Sequence, residues 1–290
     1  MNKREPPLIF FVSYPSDMFD ILYFVPSQKF IVKHSIYNNM KTNTKNDLIY
    51  FYNYSDVRAY LQALIDKTPT ISDEHEFTKL LKKFAKSGNA YGQSILGLCL
   101  QVGFGCEANP KEAMMWWKKA AKQGDDCAQF YVGRDYYYGQ ESHVNYKQAA
   151  YWLELSALQG HDAAQQLLGE CYFYGRGVKQ DFKIAKDWYA KSAAKGNVNA
   201  ICMLGICYSH GYGVRVKYKK AFEYFTLAAD KGNVEAMYQL GFCYGLGQGV
   251  DADLEKSITL WFKAAEQGHE GAIESLNELK ELAEQNENSF

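Results

Sequence analysis

From residue 89 to about residue 275, apolar residues return in columns 36 residues apart along the chain and four residues apart within each segment. An alanine column (Ala128, Ala164, Ala200, Ala236, Ala272), a mostly leucine column (Leu96, Leu168, Leu204, Leu240, with Val132) and a tyrosine column (Tyr136, Tyr172, Tyr208, Tyr244, with Leu100) follow that spacing. Steps of four stack on one face of a helix, so the pattern predicts a first helix, A, with one buried stripe. A second helix, B, carries Ala113, Ala149, Ala185 and Ala221, the bulky pairs Trp116-Trp117, Trp152-Leu153, Trp188-Tyr189 and Tyr224-Phe225, and a further alanine column from Ala121 to Ala265.

Polar residues and glycines mark where these helices begin and end. Asn89, Asp125, His161, Asn197, Asn233 and His269 open helix A, and Asn109, Asn145, Asp181 and Asp253 open helix B. Such side chains accept the free N–H groups of a first turn; Lys217 is the exception, and Pro110 suits a first helical position. Gly88, Gly124, Gly160, Gly196, Gly232 and Gly268 end helix B, while Gly-x-Gly turns at 103–105, 175–177, 211–213 and 247–249 separate A from B. The second repeat keeps only Gly139. A further ladder, Gly97, Gly133, Gly169, Gly205 and Gly241, falls inside helix A. Each of these costs ~1 kcal/mol relative to alanine, so something must offset roughly 5 kcal/mol; close approach of helix A to a large side chain or to the alanines of helix B is the expected reason. Strict repetition over this length predicts a solenoid whose function lies on a repeated surface.

The pattern Ala-x-x-x-Leu-Gly-x-x-Tyr, Gly-x-Gly-Val, Asp-x-x-x-Ala, then Trp, Ala-Ala and Gly resembles the Sel1-like repeat, a relative of the tetratricopeptide repeat. Its fullest copy runs through Ala164, Gly175, Gly177, Val178, Asp181, Ala185, Trp188, Ala193 and Gly196. The resemblance covers residues 73 to 275 and implies an all-α, right-handed solenoid of about five 36-residue helix-turn-helix repeats acting as an adaptor or scaffold for other proteins.

Residues 1–54 stand outside the repeat. Runs rich in aromatic and β-branched residues at 8–14, 18–25, 30–37 and 48–54, separated by turn signals, predict a small strand-rich (α+β) module. Residues 55–88 read as a degenerate capping helix pair headed by Ser55 and Asp73, residues 89–284 as the solenoid, and residues 285–290 as a frayed tail. With 32 basic and 33 acidic residues, nothing favours nucleic acid or an anionic membrane as partner. No apolar run is long enough to span a bilayer, and Pro6, Pro7 and Pro15 flank the short run at 8–12, so a secretory signal is not expected. A cytoplasmic monomer is expected, with export lacking a standard signal peptide as the alternative.

Several constellations invite chemistry. Ser192 and Lys195 form a Ser-x-x-Lys sequence like that of penicillin-recognising enzymes, and the family resemblance adds an association with β-lactam binding. Ser192 nevertheless belongs to a small-residue column, Lys195 precedes a helix-ending glycine, and neither Ser-Asp-Asn nor Lys-Thr-Gly occurs, so a β-lactam hydrolase is the lesser alternative and no catalytic residue is assigned. Cys99, Cys171, Cys207 and Cys243 share a column in which Asp135 is the exception. Relative to the cysteine-rich branch of the family, only Cys127 occupies a disulfide position, so seven thiols in a reducing compartment are expected. Cys202, Cys207 and His210 lack a fourth ligand, and no metal or cofactor is expected.

The remaining face of helix A is informative. Positions one before, two after and six after the leucine column point away from it at about 100° per residue. They read Ile95, Leu98, Val102; Tyr131, Arg134, Tyr138; Leu167, Glu170, Tyr174; Met203, Ile206, His210; and Gln239, Phe242, Leu246, of which eleven are apolar or aromatic. Burial between neighbouring helices is one explanation. The other is a concave groove for a protein or peptide, with Tyr131, Tyr138, Tyr174 and Phe242 as anchors, Arg134 and Glu170 as orienting charges, and His210 also in its lining. A non-enzymatic adaptor follows from the second, with a neutralising (immunity-type) or host-directed binding protein as alternative.

Overall fold

The computed structural model describes residues 9–12, 20–23, 62, 65–66 and 73–287. Twelve helices follow one another among them: α1 (Glu74–Lys86), α2 (Ala90–Val102), α3 (Pro110–Lys122), α4 (Asp126–Tyr138), α5 (Tyr146–Leu158), α6 (Asp162–Tyr174), α7 (Phe182–Ala193), α8 (Val198–His210), α9 (Tyr218–Asp230), α10 (Val234–Leu246), α11 (Leu254–Glu266) and α12 (Glu270–Glu287). The even-numbered helices are the A helices of the repeat, and the odd-numbered ones are the B helices. α12 continues through residues expected to fray. The chain divides into two compact units, Met1–His143 and Val144–Phe290. In the first, α1 packs on α2, α2 on α3 and α3 on α4; in the second, every helix from α5 to α12 packs on the next. Both are arrays of consecutive packed pairs, an all-helical solenoid arrangement.

Two four-residue strands, β1 (Ile9–Val12) and β2 (Asp20–Tyr23), pair antiparallel with Ile9 opposite Tyr23. One strand pair is too little to hold a folded module by itself, and the runs at 30–37 and 48–54 lie outside the described residues. The expected strand-rich module is therefore not supported. Of the helix expected from Ser55, only Gln62, Ile65 and Asp66 are described, all helical.

The helix ends follow from the capping residues. All six helix-A caps accept a backbone N–H three residues on, as Asn89 does from Gly92, His161 from Ala164 and His269 from Ala272. Asn109, Asn145, Asp181 and Asp253 do the same for helix B, and Lys217 makes no side-chain cap.

Packing explains the internal glycine ladder. A Cβ on Gly169 would stand 2.6 Å from the Tyr189 ring, and equivalent Cβ atoms on Gly97, Gly205 and Gly241 would collide with Trp117, Phe225 and Trp261. Helix A thus approaches the bulky column of helix B ring against backbone. Trp117 and Trp261 also donate their indole N–H to the carbonyls of Ser94 and Tyr238, each at 3.1 Å. Burying Phe225 or its equivalents stabilises by about 1.5–3 kcal/mol each, more than the ~1 kcal/mol that the facing glycine costs. Buried glutamines tie repeats together as well. Gln93, Gln129 and Gln165 donate to the carbonyls of Ala85, Ala121 and Ala157 at the ends of the preceding B helices. Those carbonyls also accept the N–H of the turn glycines Gly88, Gly124 and Gly160, so the buried amides occupy a second lone pair on groups already held by the turn.

Candidate functional site

The outer positions of helix A sort by depth. Ile95, Tyr131 and Leu167, one residue before the leucine column, are buried, and Met203 and Gln239 are half-buried. Two residues after it, Leu98 is buried and Arg134, Glu170, Ile206 and Phe242 are half-buried. Only the last column is open: Tyr138 is 55% exposed, Tyr174 52% and Leu246 65%, with His210 also exposed and Val102 half-buried. The reason lies in connectivity. An A helix such as α2 or α6 lies between the B helices before and after it, so both flanks of the predicted face are covered and only its C-terminal end emerges.

Several expected anchors are consequently core residues. Tyr131 stacks on Trp117 with ring centroids 4.4 Å apart and planes 11° apart, and burial pushes its hydroxyl well above the usual tyrosine range. It is a packing residue and not an exposed anchor. Arg134 lies against it, the guanidinium carbon 4.8 Å from the Tyr131 ring and 5.7 Å from that of Phe130. Phe242 sits edge-on to Trp261 at 5.0 Å and to Tyr238 at 4.9 Å. Glu170 accepts a hydrogen bond from Gln166 one turn earlier. His210 stacks on Tyr212 at 5.4 Å, its Nδ1 2.8 Å from the Ser209 hydroxyl.

Around Tyr174 the structure adds residues that sequence reasoning did not single out. Arg176, the middle residue of the Gly175-Gly177 turn, places its guanidinium carbon 4.8 Å from the Tyr174 ring and 5.5 Å from that of Tyr146, the first residue of α5. Tyr174 also meets Phe173 edge-on at 4.9 Å. The turn itself is clamped, since a Cβ on Gly177 would overlap the Tyr146 carbonyl and φ there is +76°. Gly213 and Gly249 make the same approach to Phe182 and Tyr218, as Gly105 does to Glu74. A pairing between the middle residue of the turn and the first residue of the preceding B helix could have been sought in the alignment of repeats. In the fourth repeat it is aromatic, with Phe182 and Tyr212 rings 4.8 Å apart.

The chemical candidates have structural occupations. Ser192 is fully buried and its Oγ donates to the Asp162 carbonyl at 2.8 Å, while the Lys195 ammonium donates to the Gly160 carbonyl. The seven cysteines stand as free thiols. Burial pushes Cys99, Cys171 and Cys207 up to about 12 and Cys243 to about 11, making them poor nucleophiles at neutral pH. Cys202 packs in the cluster around Phe225 and Cys207 in the one around Tyr189, and no group of three metal-binding side chains occurs among the described residues.

In each unit the helices pack in consecutive similar pairs, and A helices end in exposed residues such as Tyr138 in the first and Tyr174 in the second, which defines a helical repeat protein. The Sel1 repeat model matches residues 90–125, 128–161, 162–197, 198–233 and 234–269, and the chain belongs to that family. No curated protein matches it in sequence. Among solved structures, it is 28% identical to a protective antigen of uropathogenic Escherichia coli strains, with a TM-score of 0.65 over 85% of this chain and 50% of that one. The chain therefore spans half the length of the antigen. A Sel1 repeat protein from Oxalobacter formigenes is also 28% identical, with a TM-score of 0.62 over 71% of this chain and 87% of that one. An immunity protein from Pseudomonas aeruginosa aligns over 77% and 85% of the two chains at 17% identity; its TM-score of 0.43 carries no functional argument.

Proposed function

We propose that this chain is a non-enzymatic interaction protein that presents the last residues of its A helices to a protein or peptide partner. The observation that carries the reading is the exposed column of Tyr174, His210 and Leu246 in the second unit, each directly before a helix-ending glycine, with Tyr138 exposed at the corresponding place in the first. Exposed tyrosines that recur at one position of successive repeats are residues of the kind that anchor protein interfaces. Arg176 beside Tyr174 supplies a cation that can donate to a carboxylate or carbonyl of the partner. The buried hydrogen bond of Ser192 and the raised cysteines weigh against acyl-transfer chemistry.

Affinity purification from the producing cells, comparing wild type with Tyr138→Ala/Tyr174→Ala, tests this. The double variant should lose more than ~2 kcal/mol of binding to the recovered partner while keeping its helical circular dichroism, because the buried columns hold the fold. Unchanged affinity in a folded double variant would sink the proposal.

A further inference from the structure

A net charge of −1 conceals two opposite helical faces. On α1, Lys79, Lys82, Lys83 and Lys86 are three, four and seven residues from the first, hence on one side of the helix, where like charges repel. With His75, Thr78, Gly105 and Cys106 they line an open cavity of about 380 Å³. Among the described residues none of the four is in an ion pair. On α12, Glu270, Glu274, Glu278 and Glu281 are all exposed on a matching series of turns, and Ile273 beside them is 42% exposed. We propose that the lysine cleft on α1 of one copy receives the acidic face of α12 from a second copy, with Ile273 entering the cavity among the lysine stems. Lysine side chains provide that apolar lining while keeping their charges at the rim. The patch holds no arginine and no aromatic ring on which a base could stack, which favours an acidic helix over a nucleic acid. Joining different surfaces of two copies makes the contact head-to-tail, so it can propagate or close into a ring. This departs from the monomer expected above, since a net charge near zero averages the two faces.

Sedimentation of the full chain over a concentration series tests the contact at low and high ionic strength. The wild type should associate with rising concentration at ~0.05 M salt and at least about tenfold more weakly at ~0.5 M, as screened charges require. Lys82→Glu/Lys86→Glu and Glu274→Lys/Glu278→Lys should each be monomeric alone and should associate when mixed, a rescue that also shows both variants are folded. A wild type that stays monomeric at low salt overturns the proposal, as does association that survives either reversal or a mixture that fails to associate. If the wild type stays monomeric yet binds a heterologous acidic protein in a Lys82-dependent way, the cleft belongs to another partner.

Discussion

The two kinds of turn in each repeat look alike in sequence, being glycines on the same period, but they do different physical work. In the turns from helix B to helix A, a Cβ on Gly88, Gly124, Gly196, Gly232 or Gly268 would meet nothing within 4 Å. There glycine serves only to hold a positive φ, between +82° and +96° at these positions. In the turns from A to B, Gly105, Gly177, Gly213 and Gly249 also have positive φ, and in addition press against the first carbonyl of the preceding helix B. One turn is a local hinge of the chain, the other a clamp between repeats. The exposed column ends at the clamped turns, so Tyr174, His210 and Leu246 stand on a pre-ordered edge, which is the arrangement that lowers the entropy cost of the binding proposed for them.

The largest expected effect is at a clamp. Gly177→Ala meets the Tyr146 carbonyl and adopts a strained φ, so it should destabilise by roughly 4 kcal/mol, summing overpacking and left-handed strain. Thermal unfolding checks this, and a melting temperature within a degree or two of wild type would show that the clamp yields freely.

Next in size is a pH effect at a B-to-A turn. His161 caps α6 through Nδ1 while fully enclosed, and burial lowers it to about 3. Its unfolded value, near the usual 6.5, is higher, so the unfolded chain takes up the proton first. Stability from this residue is complete above about pH 6.5 and is lost as pH falls toward 3, by up to about 1.4 kcal/mol per unit. Denaturant titrations across pH 7 to 4 should show that slope in wild type. His161→Asn, the residue found in this column at Asn89, Asn197 and Asn233, should lose it; an identical slope in both would exclude His161 as the source.

The smallest effect is at an open turn. Gly196→Ala finds space but keeps φ at +88°, so it should cost about 1–2 kcal/mol from left-handed strain alone. A loss equal to that of Gly177→Ala would erase the distinction between the two turns.

Much of this fold is legible in the sequence. The helix caps, the 36-residue period and the close approach behind Gly97 and Gly169 all follow from local rules repeated in register, and repetition multiplies a weak signal. The depth of the outer face did not follow. A wheel drawn for one helix turns Tyr131 away from the buried stripe around Val132, yet α3 supplies Trp117 to cover it. Arg176 was missed because the middle residue of the turn varies, from Phe104 to Tyr212 and Gln248. The second repeat shows how two apparent exceptions can share one cause: Asp135 replaces the column cysteine, and its carboxylate accepts the N–H of Glu141, which stands where other repeats have the second turn glycine, at 2.7 Å.

The functional claim rests on the exposed column ending at the clamped turns, and site-specific photocrosslinking tests it whatever the partner is. A photoreactive phenylalanine derivative in place of Tyr174 should yield a discrete covalent adduct in the producing cells. The same group in place of Leu158, which is 68% exposed at the end of helix α5, should yield none. An adduct at position 158 with none at 174 would contradict the account and move the binding surface to the B helices.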